Sequence, residues 1–323
     1  MSRPLTWLGP ADVVAPSRDE RLVSLADITE IELLILKRMR EFTIGEHSSL
    51  FHGSGFDFTG IRDWQAGDRF EAIDWPQSSL TNFSPMIVRE FDQLSTSNVV
   101  IVADKSASTR CGIDGVPVAK IVARAIATIG MSAVFFQDAV GLVTFDEGFT
   151  NVGGLRPRIG KNQVIQILDA YHISHPTSQD AHERRRSETL SAAIGGFMRK
   201  TALVPFVSDC LFENVEDVIR ELARLNTLHD VFLTLVDASF AFEMPNVSAG
   251  WVDMYDVETG RSRVISRREA RRMAARVREW QDDIVRKARG SGLDVLRLGL
   301  DQTQFDIALM EFVIERRLRR KTA

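Results

Sequence analysis

The feature that most constrains this chain is the alternation, from about residue 97 onwards, of short apolar runs with segments of helical period. Five runs are largely apolar, as strands are when both faces of a sheet are covered: 99–103, 139–145, 202–208, 231–236 and 293–298. Helices are predicted between them near 117–136, 161–171, 189–200, 214–226, 267–289 and 303–318. The pattern predicts an α/β domain over residues 97–320, in which helices flank a parallel sheet.

Two segments of this domain depart from the simple alternation of strands and helices. Pro205 lies inside the run 202–208, although proline in a central strand removes a ladder hydrogen bond. The run is otherwise apolar and well placed between two helices, so we still expect a strand. Near residues 250–266, a turn signal at 258–260 separates two strand-like segments and predicts an inserted hairpin.

The helix predicted at 267–289 has the clearest pattern, with apolar residues at three- and four-residue steps. Ser266 and Glu269 form a capping box at its start, and Gly290 ends it. Its arginines alternate with acidic residues, which favours a solvated outer face over a basic patch.

The first 96 residues have a different texture. Residues 1–24 mix prolines and glycines without periodicity, which predicts a flexible lead-in. A helix is predicted at 25–43, and glycine-punctuated runs at 56–58, 72–75 and 86–91 indicate small strands. We therefore expect residues 25–96 to form an N-terminal helix and a β-rich appendage.

Composition excludes several classes of function. The chain has 40 basic and 44 acidic side chains and a net charge of -4, so it offers no overall positive field for nucleic acid. Cys111 and Cys210 are too few for a disulfide framework, which favours a reducing compartment. No segment approaches a membrane-spanning run of about 18 apolar residues. We expect a cytoplasmic protein without a membrane span or a nucleic-acid partner.

Aspartates follow several of the predicted strands, and two of them suggest a site. Asp104 opens the sequence Asp104-Lys105-Ser106-Ala107-Ser108, which places one carboxylate and two hydroxyls on a single turn. Asp209 follows a strand that is expected to pair with the first. Ligands of open parallel sheets bind beyond the carboxyl ends of the strands, and hard divalent cations prefer oxygen ligands. The sequence predicts a Mg²⁺ or Mn²⁺ site at Asp104, Ser106, Ser108 and Asp209.

This D-x-S-x-S arrangement resembles the metal-ion-dependent adhesion site of von Willebrand factor type A domains, which have a Rossmann-like fold. The resemblance implies a threonine ligand on a later loop. Thr189 is the candidate named for it here, with Ser187, Glu188 and Thr177 as alternatives. In such a site an open position on the ion would accept an acidic residue of a client protein, and Lys105 and Arg110 would add positive potential.

A second resemblance covers residues 45–318. Its elements are 53–58 (GSGFDF), 61–68 (IRDWQAGD), 73–75 (IDW) and 88–91 (VREF). Together they resemble the domain-of-unknown-function 58 family, whose members have a von Willebrand type A-like domain. The resemblance implies action with a MoxR-type AAA+ ATPase, and with other von Willebrand type A-like proteins, in assembling or activating a client complex. One branch of the family, MxaS-like, is associated with maturation of methanol dehydrogenase.

The aromatic and charged residues of these elements have their own interpretation. Arg62, Trp64, Asp68, Asp74 and Trp75 are closely spaced, which indicates an ion-pair network under aromatic side chains. Ordering of the appendage is the simpler role for this network. Exposed Trp and Arg are also enriched in binding hot spots, so these five residues are candidate interaction residues.

The sequence contains few patterns typical of an enzyme active site. Residues 154–162 have neither the spacing nor the Ser or Thr of a phosphate-binding loop, so no intrinsic nucleotide hydrolysis is expected. No nucleophile elbow is present, and Ser106 stands where an aspartyl-phosphate motif needs a second aspartate. A metal-dependent hydrolase using Asp104 and Asp209 is the remaining alternative. The sequence favours a non-enzymatic interaction adaptor.

Overall fold

The structure is a computed structural model that describes residues 8–10, 21–44, 56–65, 68, 73–93, 97–113, 116–146, 153–174, 201–242, 251–256 and 262–322. The chain forms two compact units. Met1–Ile35 and Ser97–Ala323 make up the sheet unit, and Leu36–Thr96 make up the appendage.

The strands in chain order are β1 (Leu8–Pro10), β2 (Phe56–Asp63), β3 (Ile87–Gln93), β4 (Asn98–Asp104), β5 (Gly112–Ile113), β6 (Val116–Pro117), β7 (Ala139–Phe145), β8 (Gly153–Arg158), β9 (Ala202–Ser208), β10 (Asp230–Val236), β11 (Trp251–Asp256), β12 (Ser262–Ser266) and β13 (Asp294–Leu298). The helices are α1 (Leu25–Ile44), α2 (Trp75–Leu80), α3 (Val118–Phe135), α4 (Lys161–Ser174), α5 (Val215–Leu225), α6 (Arg267–Gly290) and α7 (Gln302–Thr322). Short 3₁₀ helices occupy Ala107–Arg110 and Ser239–Phe242.

The main sheet has six strands in the order β13-β10-β9-β4-β7-β8. The five predicted strands are all present, and they pair in parallel with one another. The sequence did not predict β8, which pairs antiparallel with β7 at the edge. Its glycines and Pro157 have low strand propensity, and only an edge position tolerates them. The predicted α/β fold, a mostly parallel sheet flanked by helices, is confirmed.

Pro205 lies in a central strand after all. It pairs in register with Phe232 of β10 on one side of β9. On the other side, the ladder from β9 to β4 stops after Leu203 and resumes at Phe206. The missing N–H of proline therefore falls in a gap of the ladder, where it removes no pairing that the sheet uses.

Helices cover both faces of the sheet. Alternate residues of the central strands, such as Val100, Val102 and Phe206, are buried in one core cluster with the apolar faces of α5 and α6. The residues between them belong to the opposite face, over which α3 packs with α4 and α7. This two-sided cover explains why the strands are almost uniformly apolar.

Helix α3 corrects one expectation. Its 18 residues are long and apolar enough to cross a membrane by length and composition, whereas the sequence analysis expected no such segment. However, 83% of the helix is buried inside the protein. Helix α3 is therefore a core helix of the sheet unit. Buried core helices can be as long and as apolar as membrane-spanning helices.

Two further elements differ from expectation. Residues Leu8–Pro10, expected in a flexible lead-in, form a strand antiparallel to β11, which also pairs antiparallel with β12. The outer edge of β11 pairs with Leu8–Pro10, and this pairing holds the short segment as a strand. The helix predicted at 189–200 lies outside the described residues.

Helix α1 belongs to both units. Its N-terminal part lies within the sheet unit, so the boundary falls at Leu36 rather than at residue 25. Ion pairs connect Asp27 and Glu30 with Arg124 of α3, and Glu32 with Lys161 of α4. These contacts tie the first turns of α1 to the helices that cover the sheet.

The appendage pairs β2 with β3 in antiparallel register. The strand predicted at 72–75 is wrong, because Ile73 makes a single bridge with Val88 and helix α2 begins at Trp75. Asp74 explains the change, since its side chain accepts a hydrogen bond from the N–H of Gln77 and Pro76 follows in the first turn. An N-capping aspartate followed by proline starts a helix instead of a strand.

A buried ion pair holds α3 against α7. Arg124 and Asp306 are both buried, and the Nε of Arg124 lies 2.9 Å from Oδ2 of Asp306. The hydroxyl of Thr128 donates to the other carboxylate oxygen at 2.6 Å. Removing the carboxylate would leave a buried guanidinium without its nearest partner, which is a severe defect.

We therefore expect Asp306→Ala to lower the free energy of unfolding by about 3 kcal/mol, as breaking a buried pair does. The control is Asp217→Ala, which removes an exposed pair with Arg220 and is expected to change stability by about 0.5 kcal/mol or less. Urea denaturation followed by circular dichroism measures both. Equal effects of the two substitutions would contradict a structural role for the buried pair.

Candidate functional site

The candidate site lies at the carboxyl ends of two neighbouring parallel strands. Asp104 is the last residue of β4, and Asp209 directly follows the last residue of β9. Because Ala103 pairs with Val207, the two aspartates emerge at the same edge of the sheet. Both side chains are fully buried. Burial of two carboxylates is costly, so their environment has to compensate for lost hydration.

Asp104 is held by hydrogen bonds from its own loop and from the neighbouring strand. Its Oδ1 accepts from the N–H of Ser106 at 2.8 Å, and its Oδ2 accepts from the hydroxyl of Ser208. Ser208 in turn accepts from the N–H of Cys210 at 2.8 Å. The phenol of Tyr171, on α4, donates to the carbonyl of Asp104 at 2.7 Å. Three segments of the chain thus fix the position of this carboxylate.

The two serines connect the Asp104 loop to Asp209. The hydroxyls of Ser106 and Ser108 lie 3.0 Å apart, and the hydroxyl of Ser108 donates to Oδ1 of Asp209 at 3.1 Å. The same carboxylate oxygen accepts from the N–H of Leu211 at 3.0 Å. Of the five residues predicted as metal ligands, the structure brings these four together, and Thr189 lies outside the described residues.

The oxygen atoms of this cluster fit a small divalent cation. In an octahedron with metal–oxygen bonds of 2.0–2.1 Å, neighbouring ligand atoms are about 2.9 Å apart. The separations between the Ser106, Ser108 and Asp209 oxygens, 3.0 and 3.1 Å, are close to this value. Hydroxyl and carboxylate oxygens are the hard donors that Mg²⁺ and Mn²⁺ prefer. Among the described residues no three His, Cys, Asp or Glu side chains group to hold a metal, so hydroxyls would complete this ligand set.

Burial dominates the electrostatics of the site. It raises the pKa of Asp104 to about 6, against the hydrogen bonds from Ser208 and Ser106 that favour the carboxylate, and the nearby charge of Asp146 raises it further. Burial also lowers the pKa of Lys105, which the charge of Asp146 opposes. The pKa of Tyr171 is raised well above its usual value by burial and by the charges of Asp104 and Asp209. A bound cation would offset the electrostatic cost of burying the carboxylates of Asp104 and Asp209.

Residues that were not predicted from the sequence support the cluster from outside. Gln281 of α6 donates from Nε2 to the carbonyls of Asp209 and Val236, at 2.9 and 2.8 Å. Trp280 donates from its indole to the carbonyl of Cys210 at 2.9 Å. A buried glutamine in an apolar helical stripe was a detectable signal, because a buried amide needs partners. The roles of Ser208 and Tyr171 left no comparable pattern in the sequence.

The predicted interaction residues of the appendage separate into two groups. Arg62 and Asp68 form a bidentate pair at 2.7 and 2.8 Å, and hydrogen bonds from Arg62 and from the N–H of Gln65 lower the pKa of Asp68 to about 2. The backbone N–H of Trp64 donates to the carbonyl of Met86 at 2.7 Å. These contacts order the end of β2.

Asp74 and Trp75 lie at the start of α2. Asp74 is buried and serves as the N-cap, whereas Trp75 remains 55% exposed. The ring of Trp75 is tilted against Phe83, itself 52% exposed, with 6.5 Å between ring centroids. Leu80 is exposed on the same short helix. The appendage therefore presents apolar side chains at its surface around Trp75.

Together, the fold and the oxygen cluster define an α/β domain with a candidate cation site at the carboxyl edge of its sheet. A family model described as "Protein of unknown function DUF58" matches residues 60–283, more than half of the chain. The chain belongs to the DUF58 family. A search of curated proteins finds no match.

Two solved structures are similar to this chain. One is the conserved hypothetical protein BatB from Bacteroides thetaiotaomicron, with 14% identity over 69% of this chain and 99% of that chain and a TM-score of 0.41. The other is an aerotolerance-related membrane protein from Bacteroides fragilis NCTC 9343, with 13% identity over 68% and 99% of the two chains and a TM-score of 0.38.

The raised pKa of Asp104 gives a test of the buried carboxylate. With metal removed by EDTA, the folded protein binds this proton more tightly than the unfolded chain does, so ionisation destabilises the fold as pH rises from about 4 to about 6. Asp104→Asn removes that penalty. We expect the variant to be more stable than the wild-type protein above pH 6, by about 2 to 3 kcal/mol, and the difference to shrink towards pH 4.

Urea denaturation over this pH range in EDTA measures the difference. Asp282→Asn is the control, because Asp282 is exposed and pairs with Arg297. It is expected to leave the pH profile unchanged within about 0.5 kcal/mol. A difference between Asp104→Asn and wild type that does not vary with pH would show that Asp104 keeps an ordinary pKa.

Proposed function

We propose that this protein is a non-enzymatic interaction adaptor whose binding surface is organised by Mg²⁺ or Mn²⁺ at Asp104, Ser106, Ser108 and Asp209. The observation that carries the proposal is the connected set of oxygen atoms from the β4 and β9 ends, with separations that fit one octahedral ion. The bound ion would supply a position for an acidic residue of a client protein. A threonine-type ligand such as Thr189 would complete the set.

The way the carboxylates are held supports a binding role. Both oxygens of Asp104 already accept hydrogen bonds within the protein, from Ser106 and Ser208. Asp209 is held through Ser108 and Leu211. Side chains fixed in this way are preorganised to hold an ion and keep the same geometry between bound and free states. Preorganisation reduces the entropic cost of capturing a partner.

The family resemblance supplies the class of partner. We propose that the adaptor acts with a MoxR-type AAA+ ATPase, and with other von Willebrand type A-like proteins, in the assembly, maturation or activation of a client complex. Methanol dehydrogenase is one client that the MxaS-like branch implies. The buried thiols of Cys111 and Cys210 are not joined in a disulfide, which fits a reducing compartment, so we propose a cytoplasmic location.

The appendage provides a second contact region in this proposal. Trp75 and Phe83 are exposed and adjacent, and the paired Arg62 and Asp68 hold the strand end of the same unit in place. Large exposed aromatic side chains on an ordered scaffold are typical anchors of protein interfaces. The appendage is ordered by the contacts of Arg62, Trp64, Asp68 and Asp74. This ordered scaffold would present Trp75 to a partner.

A metal-dependent hydrolase is the second candidate, and one observation favours it. The pKa of Asp104, about 6, lies in the range that suits a general base near neutral pH. Asp104 and Asp209 would then hold the ion and activate a water molecule. Against this, both carboxylate oxygens of Asp104 already accept hydrogen bonds, from Ser106 and Ser208, so neither is placed to take a proton from a water molecule. We therefore rank the adaptor first.

Metal binding has a direct test in thermal stability. A ligand at about 100 times its dissociation constant stabilises a folded protein by about 2.7 kcal/mol. We expect saturating Mg²⁺ or Mn²⁺ to raise the melting temperature of the wild-type protein and to leave that of Ser106→Ala/Ser108→Ala unchanged. Differential scanning calorimetry with EDTA as the reference measures the shift.

Ser132→Ala is the matched control for this measurement. Ser132 is a buried serine of α3 whose hydroxyl donates to the carbonyl of Thr128 at 2.7 Å, away from the site. Its variant should melt at a lower temperature than the wild type but keep the full metal-dependent shift. An equal shift in the double-serine variant would place the ion elsewhere in the protein.

Partner capture separates the two candidate functions. Affinity-tagged protein is incubated with lysate of the native host in Mg²⁺, and the eluate is analysed for an AAA+ ATPase by mass spectrometry. The adaptor proposal expects recovery of the ATPase by wild type, and loss of the client in EDTA and in Asp104→Ala while circular dichroism shows a retained fold. Unchanged capture in EDTA would overturn the role of the metal.

The same preparations are tested for turnover of phosphoester and ester substrates with Mg²⁺ or Mn²⁺. The adaptor proposal expects no turnover above the background of the Asp104→Ala protein. Metal-dependent turnover that Asp104→Ala abolishes would replace the adaptor with the hydrolase.

A further inference from the structure

The N-terminal half of α6 carries an excess of positive charge that its own acidic residues do not neutralise. The helix has nine basic and four acidic side chains. Glu269 pairs with Arg263 of β12, Asp282 pairs with Arg297, and Asp283 pairs with Lys287. Two of the four acids are thus engaged by cations outside the helix, and Asp283 is engaged by Arg286 and Lys287 near its C-terminal end. The predicted solvated face is present, since Arg268, Arg271, Arg272 and Arg276 are exposed, but Glu269 and Asp282 pair with cations outside the helix instead of with these arginines.

Four arginines of the first two turns form one continuous surface. Arg267, Arg268, Arg271 and Arg272 line an open concavity with a volume of about 570 Å³. Within the part of the chain that the structure describes, Arg268, Arg271 and Arg272 are exposed and make neither an ion pair nor a hydrogen bond through their side chains. The positive end of the helix dipole adds to the potential here.

Two exposed apolar side chains lie on the hairpin that leads directly into α6. Trp251 of β11 pairs in register with Ser266, the residue that caps α6, and is 66% exposed. Val264, 56% exposed, lies on the same face of the hairpin, because residues two apart share a face. The opposite face is the buried one, with Ile265 and Met254. An exposed tryptophan on the hairpin that precedes α6, together with the exposed Arg268, Arg271 and Arg272, has the composition of a binding hot spot.

The position of α6 relates this surface to the candidate cation site. Gln281 and Trp280 contact the carbonyls of Asp209 and Cys210 at the carboxyl edge of the sheet. At a rise of 1.5 Å per residue, Arg272 lies about 14 Å along the helix from Gln281, beyond that edge. A partner segment of several residues can therefore span both places.

We propose that Arg267, Arg268, Arg271, Arg272 and Trp251, here named the arginine surface, dock an acidic segment of a partner protein that also carries an apolar side chain. The planar forks of the arginines match carboxylates, and Trp251 supplies apolar contact. This inference rests on the proposed adaptor function for the existence of a protein partner and adds the chemistry that recognises it.

The charge balance favours a protein segment over a nucleic acid. Polynucleotide binding depends on a broad positive field along the backbone, and this chain has a net charge of -4. The four arginines span less than two helical turns, about 8 Å along the helix axis, which fits a few residues of an extended peptide. Carboxylates spaced along such a segment can pair with the arginines without a long polyanion.

The test uses a fluorescein-labelled peptide of glutamates around one central leucine. Fluorescence anisotropy gives its dissociation constant for the full-length protein at about 0.1 M salt, where long-range charge effects are screened beyond about 10 Å. The measurement is made in EDTA, so a failure of the cation site does not affect it. Single-stranded DNA of the same charge and vesicles with and without phosphatidylserine are the comparison probes.

We expect Arg271→Glu/Arg272→Glu to weaken peptide binding about tenfold or more, because two attractive contacts become repulsive. The matched control is Arg286→Glu/Arg289→Glu, the same charge change near the other end of the same helix, with an expected loss of about twofold or less. Trp251→Ala should weaken the peptide but not the DNA. Circular dichroism melts show that each variant is folded.

Three results would overturn the inference. These are an equal loss in the two double variants, tighter binding of DNA or anionic vesicles than of the peptide, and no measurable binding of the peptide by the wild-type protein. If the arginine surface fails while Mg²⁺ still stabilises the protein, the adaptor proposal stands without it. If the arginine surface binds the peptide as expected but Mg²⁺ does not stabilise the protein, the proposed cation site is wrong and the arginine surface remains supported.

Discussion

Two carboxylates buried at the ends of adjacent strands constrain the rest of this structure more than any other feature. Asp104 and Asp209 are fully buried at one edge of the sheet, where each would repel the other without compensation. Hydrogen bonds from Ser106, Ser108 and Ser208 supply part of that compensation. A small cation among the same oxygens would supply the remainder. The account of this protein therefore depends on whether the cluster is a structural network or an ion site.

The surrounding fold is arranged to keep this cluster rigid. Tyr171 reaches it from α4, while Gln281 and Trp280 reach it from α6, so helices on both faces of the sheet hold the loops after β4 and β9. Because α6 also carries the four arginines, the proposed docking surface and the proposed ion site are connected through one helix, whose Gln281 supports the loop after β9. In this arrangement, acidic residues of one partner segment can contact both the ion at the sheet edge and the arginines of α6, so the partner is recognised by its charge pattern.

The sequence predicted what periodicity and strand order can encode. Uniformly apolar runs identified every parallel strand, and their alternation with helices placed Asp104 and Asp209 at one edge. Periodicity could not identify β8, whose glycines and Pro157 are poor strand formers held by pairing with β7. It also misjudged residues 72–75, where capping by Asp74 overrides strand propensity. The pairing of Glu269 and Asp282 with cations outside α6 is a tertiary feature that periodicity does not encode, so the excess positive charge at the start of this helix was not predicted.

A crystal structure of the protein soaked with Mn²⁺, with anomalous diffraction collected at the manganese edge, tests the central claim most directly. The account predicts an anomalous peak bonded to the Ser106 and Ser108 hydroxyls and a carboxylate oxygen of Asp209, with metal–oxygen distances of about 2.2 Å. It also predicts loss of the peak in Ser106→Ala/Ser108→Ala crystals. An ordered cluster with no peak in the wild-type protein, or a peak bound to other residues, would contradict it.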